Sequence, residues 1–209
     1  MSVHVATLPD YRWDNNKPVV AGYNPYDRQF GGGAVGDGNA DDWLPFQSAV
    51  NRANTDGGGL VVCGPGGTLG IGRTLTLYSN VTVLVLPGTT IKWLGSSTGT
   101  MFGFSGTDPV QRWGFLGMGA KIDAGAGCSY IWHLKSPQFG TLDGFDVSGG
   151  SATMVGVRMS ADATNATGYS SKRNAVRNSI GRLNFTGAIG RVIELDGTDT
   201  NGVVTLNNF

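Results

Sequence analysis

The sequence predicts an all-β solenoid, a parallel β-helix, preceded by a capping α-helix and an extended N-terminal arm. Glycine supplies 35 of 209 residues, more than twice its usual share of about 7%, so the chain turns often. After residue 59 short strand patterns follow one another with no second helix between them, which excludes a doubly wound α/β sheet. Related units recur at 115–125, 139–149 and 178–187, and their separations are of the size that stacked repeats have.

The first segment, residues 1–29, has the composition of an extended arm. It is rich in proline and aromatic residues, and neither a helical nor a strand period persists in it. An arm without an apolar face cannot bury its rings on itself. Two interpretations stay open: the arm packs on a neighbouring chain or another protein, or it lies along its own domain. Under the first, the candidate docking residues are Tyr11, Trp13, Tyr23 and Tyr26.

Residues 30–58 predict a glycine-rich turn, over 31–39, and then a helix over 42–53. Asp41 or Asp42 can cap the helix, since a carboxylate accepts free first-turn amide protons and faces the positive end of the helix dipole. Three glycines at 57–59 end it. The helix carries one apolar stripe, formed by Phe46, Ala49, Val50 and Ala53.

Residues 59–209 predict about six or seven coils of roughly 20 to 25 residues each. In such a solenoid each coil pairs with the next at about 4.8 Å, and apolar side chains stack inside. Asn80 tolerates the left-handed backbone that a corner needs. The helix stripe can cover the open edge of the first coil, whereas the strand-like run at 203–209 has no cover and predicts a longer polypeptide or closure by another chain. The predicted strands are 60–63, 74–78, 81–86, 90–94, 113–116, 121–123, 130–134, 140–147, 154–159, 178–185, 191–195 and 203–207.

Charge and composition exclude several classes of function. The formal net charge is zero, so no strongly basic surface is available for nucleic acid. The sequence has no secretory signal and no apolar run long enough to enter a membrane. Cys63 and Cys128 lie in or beside apolar stretches, and we expect both to remain thiols in a reducing compartment.

Three runs in the first half resemble a known family. They are FGGGAVGDGNADDWLPFQSAV at 30–50, GGGLVVCGPG at 57–66 and LTLYSNVTV at 75–83. Together they resemble the opening of pectate-lyase-like right-handed parallel β-helix proteins, whose commonest bearers are phage tailspikes and tail fibres. The motif residues are Gly36, Asp37, Gly38, Asp41 and Asp42. This motif builds the N-terminal cap and is shared by lyases, hydrolases and adhesins, so it specifies the fold and not the chemistry.

The resemblance implies a virion protein that is made in the host cytoplasm. It further implies a homotrimer, contacts with other tail proteins through the arm, and recognition of host surface polysaccharide. The glycine-flanked histidine of polygalacturonases is absent, since the histidines are His4 and His133.

No catalytic constellation emerges from the sequence. Glycoside hydrolysis needs two carboxyl groups facing one groove, and the acidic residues on the predicted coils are Asp123, Asp143, Asp146, Glu194, Asp196 and Asp199. Each of them has a structural alternative, which is to bond turn amides. A lyase would use a basic residue, with carboxylates holding a divalent cation, and the candidate bases are Arg158, Arg173, Arg177, Arg182 and Arg191. Outside that lyase alternative no cofactor or metal is expected.

Three tryptophans are candidate glycan contacts, because an exposed indole face stacks on a sugar ring. The alternative is that they fill the core or a contact between protomers. They are Trp93, Trp113 and Trp132.

Two functions from different classes therefore stay open. The first is the N-terminal part of a phage tail spike or fibre that attaches to the virion and recognises host surface polysaccharide. The second is a lyase or glycoside hydrolase that degrades the polysaccharide. A β-helical adhesin or capsid protein without glycan preference is a third, weaker option.

Overall fold

The computed structural model describes residues 12–14, 17–19, 22–104, 108–125, 127–161, 175–196 and 204–206. These residues form one helix, α1 (Trp43–Thr55), and short strands. In chain order the strands are β1 (Arg12–Asp14), β2 (Lys17–Val19), β3 (Asp37–Asp41), β4 (Gly59–Cys63), β5 (Thr68–Ile71), β6 (Leu75–Leu77), β7 (Val81–Val85), β8 (Thr90–Trp93), β9 (Thr100–Phe104), β10 (Val110–Gln111), β11 (Gly114–Asp123), β12 (Tyr130–Lys135), β13 (Pro137–Gln138), β14 (Thr141–Ser148), β15 (Val155–Ser160), β16 (Ala175–Ile180), β17 (Leu183–Thr186), β18 (Arg191–Asp196) and β19 (Val204–Leu206).

The chain winds through three parallel sheets in turn. Sheet 1 stacks β4, β7, the first half of β11, the first half of β14 and the end of β16. Sheet 2 stacks β3, β5, β8, the second halves of β11 and β14, and β17. Sheet 3 stacks β6, β9, β12, β15 and β18. Successive strands of one sheet come from successive turns of the chain, so the predicted solenoid of parallel strands is confirmed.

The predicted repeat units do lie on one another. Phe115 pairs with Leu142, and Leu142 pairs with Ile180. In the described residues sheet 3 has five strands and β19 adds one strand of a further coil beside β16, against the six or seven coils predicted. The first coil has the predicted length, since Gly59 pairs with Val81, but later coils are longer because they carry loops and the short strands β10 and β13 between the sheets.

Seven observed strands were missed or taken for loops or arm, namely β1, β2, β3, β5, β9, β10 and β13. The sequence Asp37–Asp41 is polar and contains glycine, so it was predicted as a turn, but it pairs with β5 at the edge of sheet 2. Whether such a segment becomes a strand is decided by pairing with a neighbouring strand rather than by local propensity. At Asn80 the backbone φ is 61°, so the predicted left-handed corner is confirmed.

An aromatic cluster occupies the core. Phe102, Phe115, Trp132 and Phe145 are all completely buried and come from three successive coils. The ring centroids of Phe102 and Phe115 are 4.6 Å apart, and those of Phe115 and Phe145 are 5.1 Å apart. Offset and tilted rings at such distances attract one another beyond the gain from burial.

Helix α1 covers the first coil as predicted, with bounds shifted toward its C-terminus. Its predicted stripe is completely buried, and the helix contacts β4, β5 and β6 of that coil. The predicted cap is corrected in part. Asp42 occupies the N-cap position, but its carboxylate makes no capping bond, whereas Asp41 Oδ1 accepts a hydrogen bond from the Trp43 amide at 3.1 Å.

Asp42, a residue of the motif that carries the family resemblance, connects the N-terminal cap to sheet 2 by hydrogen bonds. The buried Asp42 carboxylate accepts hydrogen bonds from the amides of Val35, Gly36 and Gly70. Burial raises the pKa of Asp42 above its ordinary value, although these three bonds act in the opposite direction. At Gly36 the φ is +68° and a Cβ would lie 2.7 Å from the Tyr26 ring, so this position requires glycine.

All three sheet edges of the first coil are satisfied by the N-terminal segments. Sheet 2 ends in β3, and on sheet 1 Tyr23 forms a parallel bridge with Val61 of β4. On sheet 3 the Gln47 side chain of α1 takes the place of a strand, since its Oε1 accepts from the Thr76 amide at 2.8 Å and its Nε2 donates to the Thr76 carbonyl at 3.1 Å. Capping therefore includes hydrogen bonds as well as apolar contact.

Replacing Gln47 by methionine should destabilise the protein by about 2 kcal/mol, because the Thr76 amide and carbonyl lose their partner. Methionine keeps the volume of the side chain, so packing changes little. The free energy of unfolding from urea titration measures this loss. The control is Gln29→Met at an exposed glutamine, which should stay within about 0.5 kcal/mol of the wild type. Equal stability of both variants would contradict the capping role of Gln47.

Both cysteines are free thiols inside the protein. Burial raises the pKa of Cys63 far above its ordinary value and that of Cys128 to about 12. We therefore expect no reaction with a thiol reagent near pH 8 while the protein is folded, and reaction of both thiols after unfolding in about 6 M guanidinium chloride. Absorbance titration with Ellman's reagent measures this, and rapid labelling of the folded protein would contradict the burial of the two side chains.

Candidate functional site

A cleft of about 450 Å³ opens on the outer face of sheet 3. It crosses three consecutive coils, because its lining comes from β12, β15 and β18 and from the turns before β15 and β18. The lining residues are Tyr130, Ala152, Thr153, Val155, Arg158, Gly190, Arg191 and Glu194.

The parallel register brings the polar residues of the cleft together. Arg158 on β15 lies between His133 on β12 and Glu194 on β18. Two residues farther along these strands, Ser160 pairs with Asp196. Strand neighbours lie about 4.8 Å apart, so residues far apart in the sequence are adjacent on this face.

Arg158 is the centre of a hydrogen-bonded network. Its Nη1 donates to the Tyr130 hydroxyl at 2.7 Å and lies 3.3 Å from Glu194 Oε1. Its Nη2 is paired with Asp196, and Arg191 is paired with Glu194 through Nη1. Two cations and two anions therefore form one continuous network.

The network is partly shielded from water. The side chains of Arg158, Glu194 and Asp196 are 20–23% exposed, whereas that of Arg191 is 69% exposed. Burial works against the charged form of Arg158, but its bonds to Asp196 and Tyr130 and the nearby Glu194 outweigh it, so the pKa of Arg158 lies above its ordinary value. The guanidinium stays charged and is held in one orientation.

Aromatic contacts fix the same guanidinium. The Arg158 guanidinium carbon lies 5.3 Å from the centre of the Tyr130 ring, a cation–π distance. The centres of the Tyr130 and His133 rings are 4.8 Å apart. The wall of the cleft thus combines an aromatic ring, a phenol hydroxyl and oriented guanidinium and carboxylate groups.

These groups are suited to bind polar ligands. Glu194 and Asp196 are two positions apart on β18, and the carboxyl groups of both approach the Arg158 guanidinium and are paired with it. The arrangement can hold hydroxyl groups of a ligand.

Two of the other acidic candidates, Asp123 and Asp143, have the structural role that was the alternative for them, which is to bond backbone amides. Asp123 Oδ1 accepts from the Gly125 amide at 2.9 Å, and Asp143 Oδ1 accepts from the Arg182 amide at 2.6 Å. Asp146 accepts a long bond of 3.4 Å from the Asn184 side chain. Asp199 lies outside the described residues, as do Arg173 and His4.

The three tryptophans proposed as glycan contacts are corrected by their burial. Trp93, Trp113 and Trp132 are 5%, 3% and 0% exposed, so no indole face is available to a sugar. Their positions on strands make this understandable, because Trp93 and Trp132 belong to the inward-facing residues of β8 and β12. The structure shows the alternative interpretation, in which the three tryptophans fill the core.

Tyr23 and Tyr26 are likewise not available as docking residues of a free arm. The Tyr26 side chain is completely buried, and its hydroxyl donates to the Gly66 carbonyl at 3.2 Å. The Tyr23 hydroxyl donates to Asp56 at 2.8 Å. From residue 22 onward the predicted arm therefore packs on its own domain. Trp13 lies on β1, which pairs antiparallel with β2, and Tyr11 lies outside the described residues.

The sequence placed Glu194 and Asp196 together among the acidic candidates and Arg158 among the candidate bases, without connecting the two sets, and Tyr130 was missed. The information that joins them is the pairing of β12, β15 and β18, which depends on loop lengths between coils. A usable signal was Glu194, the single glutamate of the chain, with a second acid two positions later on the same predicted strand.

Two further classes of site were searched in the described part of the chain. There, no three histidine, cysteine, aspartate or glutamate side chains gather as ligands of one metal ion. Within the same residues, no helix has the length and hydropathy needed to cross a membrane.

Comparison with solved structures identifies the fold. An iota-carrageenase solved with iota-carrageenan fragments matches with a TM-score of 0.64 at 17% identity, covering 100% of this chain and 45% of the carrageenase. By fold, this chain is a right-handed parallel β-helix. The β-helix is also similar to ORF18 of Geobacillus virus E2, with a TM-score of 0.53 at 17% identity over 95% of this chain and 55% of that one.

A third similar structure is the surface protein and adhesin PfbA of Streptococcus pneumoniae, with a TM-score of 0.52 at 16% identity over 90% of this β-helix and 61% of that chain. The β-helix spans about half the length of the carrageenase chains that it matches. No protein-family model and no curated protein sequence matches the chain.

Proposed function

We propose that this β-helix recognises polysaccharide through the cleft on sheet 3, as part of a phage tail spike or fibre. The observation that carries the proposal is the network around Arg158. It presents hydroxyl, guanidinium and carboxylate groups beside the Tyr130 ring, and sugar recognition uses this combination of oriented polar groups and an aromatic face.

The rigidity of the scaffold supports the same function. The polar residues Tyr130, Arg158 and Glu194 of the cleft lie on paired strands of neighbouring coils, so a ligand would not have to order them when it binds. The cleft also crosses the coils, and an extended chain of sugars could continue along the solenoid axis beyond it.

The names of three similar structures support the proposal. One is named a carrageenase in complex with carrageenan fragments, another an adhesin, and a third is a phage protein. Each of the three is either named for a role with polysaccharide or at a cell surface or comes from a virus. Each has the fold of this chain.

Binding should depend strongly on Arg158. We expect the purified protein to bind at least one member of a panel of bacterial surface oligosaccharides, and Arg158→Ala to weaken that binding at least about tenfold, because a charged hydrogen bond and the orientation of Glu194 and Asp196 are lost together. Isothermal titration calorimetry measures the change. The control is Arg182→Ala, at an exposed arginine outside the cleft, which should leave the affinity unchanged. Equal binding by both variants would contradict the assignment of the cleft.

A second function, cleavage of the bound polysaccharide, is favoured by one observation. The carboxyl groups of Glu194 and Asp196 both approach Arg158 on one strand, and glycoside hydrolysis uses two carboxyl groups that face one groove. Incubation of the protein with each polysaccharide that it binds, followed by sizing and by absorbance of unsaturated sugars, distinguishes hydrolase, lyase and pure binder. Cleavage that Glu194→Gln abolishes would establish this second function.

The place in the virion is tested at the N-terminus. Because residues from Gly22 onward pack on the domain, the informative deletion is residues 1–21. We expect the shortened protein to fold with unchanged circular dichroism but to be missing from assembled tails, and normal incorporation would refute the anchoring role. Light scattering on the purified protein tests the homotrimer.

A further inference from the structure

We infer that the cleft on sheet 3 binds a neutral stretch of glycan, with sugar hydroxyl groups rather than carboxylates or sulfates facing Arg158. This inference rests on the proposed function and specifies its ligand.

Charge balance is the first argument. Among the described residues that line the cleft, the charged ones are Arg158, Arg191 and Glu194, and Asp196 completes their network. Each guanidinium is paired with a carboxylate of the same network. The lining residues alone carry a net charge of +1, and Asp196, which does not line the cleft but is paired with Arg158, brings the network of four side chains to zero. Lys135 lies on β12 in the row that ends at Asp196, but it does not line the cleft.

The second argument is the cost of displacing a carboxylate. An anionic substituent could reach the Nη groups of Arg158 only in place of Glu194 or Asp196, because Nη1 and Nη2 already bond Tyr130 and these two acids. The remaining donor, Nε, has no hydrogen-bond partner but is buried. The displaced carboxylate, only 20–21% exposed in place, would give up its pairing with the Arg158 guanidinium while still largely shielded from water, and breaking such a pair is costly.

A hydroxyl group needs no such displacement. Carboxylate oxygens have more than one lone pair and can accept a further bond from a sugar hydroxyl while they stay paired with arginine. The Tyr130 hydroxyl can also interact with a ligand. Neutral sugars therefore bind to the existing network, whereas an acidic group that faces Arg158 would have to disrupt it.

The test is a panel of bacterial surface oligosaccharides in which every acidic member is accompanied by its carboxyl-reduced or desulfated counterpart. We expect neutral members to bind, with affinities that change less than about threefold as NaCl is raised from about 0.05 to 0.5 M, since no net charge is screened. Binding confined to acidic members, with a steep decline in salt, would overturn the inference and leave the proposed function intact. Binding of no member would refute both.

Glu194→Gln tests the effect of charge on ligand preference separately from any structural role of Glu194. This change removes one negative charge and leaves Arg191 and part of Arg158 without a carboxylate partner. We expect the acidic members to gain affinity by roughly tenfold relative to their neutral counterparts, with a salt dependence that the wild type does not show. The matched control is Asp146→Asn, at an acid of sheet 2 that does not line the cleft. An unchanged preference in Glu194→Gln would contradict the role of charge balance.

Discussion

Gly144→Ala should prevent the protein from folding or destabilise it by about 4 kcal/mol or more. Gly144 forms the corner inside β14 where the chain passes from sheet 1 to sheet 2, with φ at +83°. A Cβ there would lie 1.7 Å from the carbonyl oxygen of Gly117, which is backbone and cannot move aside. Strain at a left-handed position and a backbone clash act together, and such combinations give the largest effects of single substitutions.

Gly119→Ala is the matched control for this corner. Gly119 has nearly the same φ, +80°, but no heavy atom lies within 4 Å of the added Cβ. The control should cost only the left-handed strain of about 1 to 2 kcal/mol. Soluble yield, far-ultraviolet circular dichroism and urea titration compare the two variants, and equal stability would contradict the close contact between the coils at Gly144 and Gly117.

Phe115→Ala should destabilise the protein by about 3 to 5 kcal/mol. The Phe115 ring is completely buried and contacts the rings of Phe102, Trp132 and Phe145. Its removal loses the transfer free energy of the ring and leaves a cavity between three coils that a rigid solenoid cannot close. Urea unfolding followed by tryptophan fluorescence measures the change.

Phe139→Ala is the control of the same residue type. Phe139 is 45% exposed, and the Arg177 guanidinium lies 5.6 Å from its ring centre. We expect a loss of less than about 1 kcal/mol at this surface position. A loss similar to that of Phe115→Ala would show that the stacked aromatic core does not carry the stability we assign to it.

Much of the fold was predictable because it depends on local features. The apolar stripe of α1 has a helical period, and its four members are all buried. Asn80 is a residue type that tolerates a left-handed corner, and it occupies one. Two features of the fold could not be predicted from local sequence. Strand β3 is polar and forms because β5 offers it hydrogen bonds. The lengths of the coils depend on loops whose sizes follow no period.

The candidate site was less predictable because register decides it. Arg158 and Glu194 become neighbours through the pairing of β15 with β18, across a long polar segment of the sequence. The tryptophans show the converse limit, since an indole suits a core as well as a sugar. Only the position of each strand on the solenoid distinguishes these two roles.

The most direct measurement is a crystal structure of the protein with the tightest-binding neutral oligosaccharide of the panel. We expect five stacked coils, with Leu60 paired to Thr82, and sugar density in the cleft within hydrogen-bond distance of Arg158, Glu194 or the Tyr130 hydroxyl. Two antiparallel sheets packed face to face would contradict the fold, and sugar bound on another face, with the cleft empty, would contradict the assignment of function to sheet 3.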